Sequence, residues 1–94
     1  MTHIDIYTSA MCPYCVSAKQ FLARKGLAFE EIRVDLDSAR RAEMLTRSGG
    51  CRSVPQIFIN GTHIGGFDDL VAADRADRLH ALLEKGGTGD ASPA

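Results

Sequence analysis

The chain of 94 residues lacks an excess of charge of either sign, and it lacks long hydrophobic runs. Its 11 Lys and Arg residues nearly balance its 12 Asp and Glu residues, so no overall electrostatic force draws it toward nucleic acid or an anionic membrane. No segment approaches the roughly 20 apolar residues that a membrane-spanning helix requires. We therefore expect neither nucleic acid nor a membrane among its partners.

The chain also lacks the features of a secretory signal peptide, because the segment 1–5 has neither a basic start nor a continuous apolar stretch. We therefore expect a cytoplasmic protein. The composition, 45% hydrophobic and 24% charged, is that of an ordinary globular protein, and the length suits one domain with a single modest core.

Cysteine is scarce, and its number is odd. A reducing cytosol keeps thiols free, so the three cysteines do not predict a disulfide scaffold. A structural zinc site needs about four nitrogen or sulfur ligands, usually in paired short spacings. Here Cys12 and Cys15 form one C-x-x-C motif without a second pair, and His3, His63 and His80 are scattered singly. We therefore expect no metal site, and we interpret the motif as a redox pair.

Hydrophobic periodicity and turn residues predict strands and helices in the order β-α-β-α-β-β-α. The last helical region is expected in two pieces, because polar residues at 74–77 interrupt its apolar pattern. The predicted strands cover 3–8, 29–35, 55–60 and 62–64, and the predicted helices cover 13–25, 39–47 and 67–85. Small polar residues fill 86–94, so we predict a folded domain over 1–85 and a disordered tail over 86–94.

The connections between these elements predict the sheet. The first strand-helix-strand unit implies a parallel pair with a right-handed crossover, and Asn60-Gly61 is a strong signal for an antiparallel hairpin. The expected fold is therefore α/β, a four-stranded mixed sheet with helices on both faces. A C-x-x-C motif at the first strand-to-helix junction of such a sheet is typical of thioredoxin-like folds.

The position of the motif separates the roles of its two thiols. Pro13 suits the first turn of a helix, which puts Cys12 at the helix N-terminus. There the helix dipole and the unpaired N–H groups favour the thiolate, which is the nucleophilic form. Cys15 lies in the first turn and closer to the interior. We predict that Cys12 attacks a disulfide and that Cys15 resolves the mixed disulfide.

Three segments together resemble the signature segments of bacterial-type dithiol glutaredoxins. They are Cys-Pro-Tyr-Cys at 12–15, Ser-Val-Pro-Gln-Ile-Phe-Ile at 53–59 and Gly-Gly-Phe-Asp-Asp at 65–69, and the likeness in element order and spacing covers about residues 3–85. The resemblance implies a glutathione-dependent thiol-disulfide oxidoreductase that reduces protein-glutathione mixed disulfides and protein disulfides. Cys12 would be the nucleophile and Cys15 the resolving thiol.

The resemblance also implies a glutathione site. Val54, before a cis Pro55, would offer its backbone N–H and C=O to the cysteinyl part of glutathione, as an added strand does. The Gly-Gly turn would allow close approach, the next helix start would bind the γ-glutamyl carboxylate, and Asp68 would accept from the ammonium group. Asp68 and Asp69 also suit helix capping, which is compatible with ligand contact. The implied glutathione-binding residues are Tyr14, Val54, Pro55, Gly66, Phe67, Asp68 and Asp69.

Two residues near the predicted site depart from this pattern or add to it. Ser9 stands where many dithiol glutaredoxins have a lysine, so a charge that would help bind the glycine carboxylate is missing. Arg47, Arg52 or Lys19 are the alternatives that could replace it. Cys51 is either an incidental loop thiol or a third redox thiol that becomes oxidised or glutathionylated.

Two other functions fit parts of the sequence. One is an iron-sulfur carrier that binds a cluster through Cys12 and glutathione from two protomers, although Pro13 argues against this within the family. The other is a redoxin that receives its electrons from thioredoxin reductase, or a binding module of the thioredoxin fold without turnover. We expect glutathione as the co-substrate and glutathionylated or disulfide-containing proteins as partners. Ribonucleotide reductase is one such partner by analogy with the family. We expect the protein to be a monomer.

Overall fold

The computed structural model describes residues 2–88. Its elements follow the predicted order, and the last helical region is divided in two as predicted. They are β1 (Ile4–Thr8), α1 (Pro13–Arg24), β2 (Glu30–Arg33), α2 (Ser38–Arg47), β3 (Gln56–Ile59), β4 (Thr62–Gly65), α3 (Phe67–Arg75) and α4 (Arg78–Thr88). Within residues 2–88, no helix has both the length and the apolar character needed to cross a bilayer.

The predicted domain boundary falls inside α4. This helix continues to Thr88, whereas residues 89–94 of the predicted disordered tail lie outside the described residues. The division into a domain over 1–85 and a tail over 86–94 therefore stays a prediction.

One mixed sheet holds the strands in the order β2-β1-β3-β4. β1 pairs in parallel with β2, and β3 pairs antiparallel with β4, which confirms the two predicted pairings. β1 also pairs antiparallel with β3, which the sequence did not predict. At the hairpin between β3 and β4, Asn60 and Gly61 have φ angles of 51° and 84°. Asn and Gly adopt such left-handed angles readily, which explains why they mark this turn.

The two faces of the sheet form separate cores, because successive strand residues point to opposite faces. On one face, Ile4, Ile6 and Ile57 pack with side chains of α1, α3 and α4. On the other face, Tyr7 and Phe58 pack with Met44 of α2 and with two apolar residues, Ile32 and Val34. Helices therefore cover both faces, as predicted.

The strand limits differ slightly from the predicted ones because pairing, rather than residue type, ends a strand. β2 ends at Arg33. The Val34 N–H still donates to the Thr8 carbonyl at 2.9 Å, and the chain turns away from β1 after Val34. β4 extends by one residue to Gly65, which pairs with Ile57.

Asp37 caps α2, a position that Asp side chains favour. Its Oδ1 accepts the backbone N–H groups of Ala39 at 3.0 Å and Arg40 at 3.3 Å. Two of the N–H groups that a helix start leaves without a helical partner are thereby satisfied.

Replacing Asp37 by Ala should lower the free energy of unfolding by about 1 kcal/mol, because both cap hydrogen bonds are lost. Urea denaturation would measure the change. The Asp37→Asn variant keeps an acceptor oxygen and should lose clearly less, so an equal loss in both variants would contradict the capping role.

Candidate active site

Cys12 is the N-cap residue of α1. Its backbone is extended, with φ −117° and ψ 99°, and its sulfur accepts the backbone N–H of Cys15 at 3.2 Å. Pro13 follows as the first helical residue, where its missing N–H costs no hydrogen bond. Cys12 is half-buried and therefore partly accessible, and it lies at the start of α1, in the position that the sequence predicts.

Cys15 differs sharply from Cys12 in its surroundings. Its side chain is buried, with 1% of its surface exposed. Burial, with a further contribution from the hydrogen bond to Cys12, raises the pKa of the Cys15 thiol to about 12. Cys15 is therefore a protonated, inaccessible thiol at neutral pH, next to an accessible one.

A groove of about 480 Å³ lies beside the C-x-x-C motif, between the β3–β4 hairpin and the start of α3. It brings together every residue that the family resemblance implies for glutathione. Those lining residues are Tyr14, Val54, Pro55, Gly66, Phe67, Asp68 and Asp69. Their contact with glutathione stays a prediction at this point.

Val54 connects this groove to the sulfur. The Val54-Pro55 peptide bond is cis, which confirms the expectation. The Val54 carbonyl lies 3.7 Å from the Cys12 sulfur, within reach of a weak S–H···O hydrogen bond. A ligand that pairs with the backbone of Val54 would therefore lie directly beside Cys12.

The glycine turn before α3 is shaped by Asp69. Its carboxylate accepts the N–H of Gly66 at 3.0 Å, so Asp69 caps the helix. Gly65 has a φ of +116°, and a Cβ there would clash with the Asp69 Oδ2. Asp68 is exposed, and among residues 2–84 no hydrogen bond or ion pair engages its carboxylate.

An aromatic wall closes one end of the groove. The rings of Tyr14 and Phe67 stack with centroids 6.5 Å apart, and Phe21 meets Phe67 edge-on at 6.2 Å. Tyr14 is 62% exposed, so its ring combines packing against Phe67 with access for a ligand.

A second cavity, of about 440 Å³, lies on the β2 side of Cys12. It contains Ser9, and its cations are Lys19 and Arg33. Lys19 donates to Glu31 at 2.9 Å, and hydrogen bonds from the Thr8 hydroxyl and from Lys19 hold the pKa of Glu31 below its usual range. Of the three cations proposed to replace the missing lysine, Lys19 is the one that shares a cavity with Cys12.

Arg47 is engaged on the α2 face of the sheet instead. It donates to Asp5 at 3.1 Å and to the Tyr7 hydroxyl oxygen at 2.7 Å, and its guanidinium group lies 4.1 Å from the Phe58 ring centroid. Arg52 lines neither of the two cavities beside Cys12.

Several residues of the site were not predicted. Arg33 reaches the second cavity because it pairs in register with Thr8, and only the strand pairing could have revealed this. Gln56 and His63 line the groove as well, and His63 is exposed. Cys51, which the sequence predicts near the site, also lines the groove, where its S–H donates to the Ser48 carbonyl at 3.4 Å.

Within residues 2–88, neither Cys12 nor Cys15 belongs to a group of three side chains able to share a metal ion. The three side chains close enough together to share an ion are those of His3, Asp5 and Glu30. His3 precedes β1, Asp5 lies on β1, and Glu30 lies on β2. Arg47 already places a positive charge against Asp5.

Comparison with known proteins identifies the family. The family model described as Glutaredoxin matches residues 4–64. The chain is 54% identical over 83 residues to a protein named Glutaredoxin from Pseudomonas aeruginosa, covering 88% of this chain and 98% of that one. The chain belongs to the glutaredoxin family. It is therefore a thiol-disulfide oxidoreductase, and the mixed sheet with helices on both faces is the thioredoxin-like fold.

Two solved glutaredoxin structures agree with this fold. The solution structure of glutaredoxin from Brucella melitensis has a TM-score of 0.77 and 48% identity, and the match covers 92% of each chain. The crystal structure of a buckwheat glutaredoxin-glutathione complex has a TM-score of 0.78 and 30% identity, covering 89% of this chain and 78% of that one.

Replacing Gly65 by Ala should destabilise the protein more than replacing Gly61 by Ala. Both glycines have positive φ, +116° and +84°, so each substitution carries a backbone penalty of about 1 kcal/mol. Only at Gly65 must Asp69 also leave the Gly66 N–H to make room. Urea denaturation of both variants would measure the difference, and equal losses would contradict the proposed clash.

Iodoacetamide at neutral pH should alkylate Cys12 in the reduced native protein and leave Cys15 unmodified, because Cys15 is buried and its pKa is raised to about 12. Peptide mass mapping would identify the modified cysteines. In urea, Cys15 should react as well, which controls for peptide detection. Comparable alkylation of both thiols in the native protein would refute the asymmetry.

Proposed function

We propose that this chain is a glutathione-dependent oxidoreductase that reduces protein-glutathione mixed disulfides and protein disulfides. The observation that supports the proposal most strongly is the groove beside Cys12. Its backbone edge at Val54 lies 3.7 Å from the sulfur, and its far side is the start of α3. The buckwheat relative in the fold comparison is described as a complex with glutathione.

In the proposed reaction, the Cys12 thiolate attacks the glutathione sulfur of a protein-glutathione mixed disulfide. A Cys12-glutathione disulfide forms, the original S–S bond breaks, and the substrate leaves as a thiolate that takes up a proton. A second glutathione thiolate then attacks this new disulfide. Glutathione disulfide leaves, and the Cys12 thiolate is regenerated.

A protein disulfide follows a route through both cysteines. Cys12 attacks one sulfur and breaks the S–S bond, which gives a mixed disulfide with the substrate and a released substrate thiolate. Cys15 gives its proton to that thiolate, attacks the Cys12 sulfur and displaces the second substrate sulfur, which takes up a proton from solvent. The product is a Cys12-Cys15 disulfide, which two glutathione molecules reduce. Because burial disfavours the Cys15 thiolate, this thiol does not compete with Cys12 for the first attack.

The groove and the second cavity together offer a contact for each part of glutathione. The cysteinyl part pairs with the Val54 backbone, and the γ-glutamyl carboxylate lies at the positive N-terminal end of α3. Asp68, whose carboxylate is exposed, accepts from the γ-glutamyl ammonium group. Lys19 supplies positive charge near Cys12 in place of the lysine that Ser9 replaces, although Glu31 partly neutralises it.

A coupled assay with a glutathionylated peptide and NADPH tests this proposal. Turnover is expected with glutathione and glutathione reductase, and not with thioredoxin reductase. The Cys12→Ser variant should lose all turnover, whereas Cys15→Ser should retain reduction of the glutathionylated peptide and lose most reduction of a protein disulfide. Cys51→Ser removes the third cysteine: wild-type turnover would identify Cys51 as an incidental loop thiol, and altered turnover would identify it as a third redox thiol.

Other results of this assay would favour the other functions. Turnover only with thioredoxin reductase would indicate a redoxin that receives its electrons from that enzyme. Retained activity in Cys12→Ser would overturn the assignment of Cys12 as the nucleophile. Visible absorbance after anaerobic reconstitution with iron and sulfide would indicate the cluster carrier. The cytoplasmic location, the monomeric state and ribonucleotide reductase as a partner remain predictions.

A further inference from the structure

A buried amide lies next to the proposed glutathione-binding edge. The Gln56 side chain follows Pro55 in sequence and is only 4% exposed. Its Nε2 donates to the Ser53 carbonyl at 3.0 Å and to the Ser53 hydroxyl oxygen at 3.3 Å. Its Oε1 lies 2.6 Å from the Nε2 of His63. All the partners of this amide therefore lie in the 53–56 segment or on β4.

The chemistry of these partners fixes the direction of each hydrogen bond. A backbone carbonyl only accepts, so the amide nitrogen of Gln56 must face Ser53. The amide oxygen then faces His63, which must donate from Nε2. A chain of hydrogen bonds thus runs from His63 through Gln56 to Ser53, the residue before Val54.

His63 is held in place although its side chain is exposed. It is the register partner of Phe58, and the two rings stack with centroids 4.9 Å apart and an interplanar angle of 29°. Phe58 is itself 2% exposed and belongs to the core on the α2 face. The hydrogen-bond donor is therefore anchored to a rigid part of the sheet.

The segment that this chain secures follows a turn at two consecutive glycines. Gly49 and Gly50 have positive φ, +73° and +102°, and the Gly50 N–H donates to the Leu45 carbonyl at 2.8 Å, so the turn itself is held at the end of α2. Cys51 donates its N–H to the Ser48 hydroxyl at 3.0 Å, which secures the start of the loop. The Gln56 amide secures its end.

We propose that Gln56 and His63 are positioning residues for the glutathione site. They orient the backbone of Ser53 and Val54 so that Val54 can pair with the extended ligand beside Cys12. This role rests on the proposed function. A positioning role differs from a purely structural one in its predicted effect. Loss of a positioning residue should weaken ligand binding and leave the reactivity of Cys12 unchanged.

Two substitutions of His63 separate its hydrogen bond from its ring stacking. His63→Phe keeps an aromatic ring against Phe58 but removes the donor, and its KM for a glutathionylated peptide should rise roughly 2- to 10-fold, the effect expected from one lost hydrogen bond. Its kcat and the rate of Cys12 alkylation by iodoacetamide should stay at wild-type values. His63→Gln restores an N–H donor and should return KM toward the wild-type value.

His80→Phe is the matched control, because His80 is an exposed histidine on α4, and its KM should not change. An unchanged KM in His63→Phe would overturn the positioning role while leaving the proposed function intact. Failure of His63→Gln to restore KM would also overturn it, because an N–H donor at position 63 would then not be what sustains ligand binding. Absence of glutathione-dependent turnover in the wild type would remove both proposals.

Discussion

Burial of β1 on both faces is the constraint from which the rest of the structure follows. All five of its residues are buried, so the strand needs a neighbour on each edge and helices above and below. The sheet satisfies this requirement by placing β1 between β2 and β3. The carboxyl end of β1 then lies between two cavities, and Cys12 lies between them because α1 begins there.

The contrast between the two thiols follows from the same arrangement. A helix that begins at the edge of the sheet has one end near solvent, and its next turn must pack on the core to bury an apolar face. Cys12 occupies the accessible end, and Cys15 lies on the inward face with Ala18 and Leu22. Cys12 and Cys15 are therefore only three residues apart, yet the first thiol is accessible and the second is buried. The packing of the helix creates this difference in accessibility without a charged side chain.

The sequence predicts features that depend on near neighbours in the chain. Asp37 as a helix cap, Asn60-Gly61 as a hairpin and Cys12 at the start of a helix all follow from local stereochemistry. The family resemblance added the cis bond at Pro55. The places of Arg33 and His63 beside Cys12 and the groove could not be predicted, because they depend on the register between paired strands, where a shift of one residue reverses the face of every side chain.

The contact between Gly65 and Asp69 links two positions that look independent in the sequence. The carboxylate that caps α3 occupies the volume in which a Cβ of residue 65 would lie. Any side chain at 65 displaces the cap, and a shorter residue at 69 removes both the cap and the obstacle. The residues allowed at positions 65 and 69 therefore depend on each other. A design that transfers this turn to another protein must transfer both residues together.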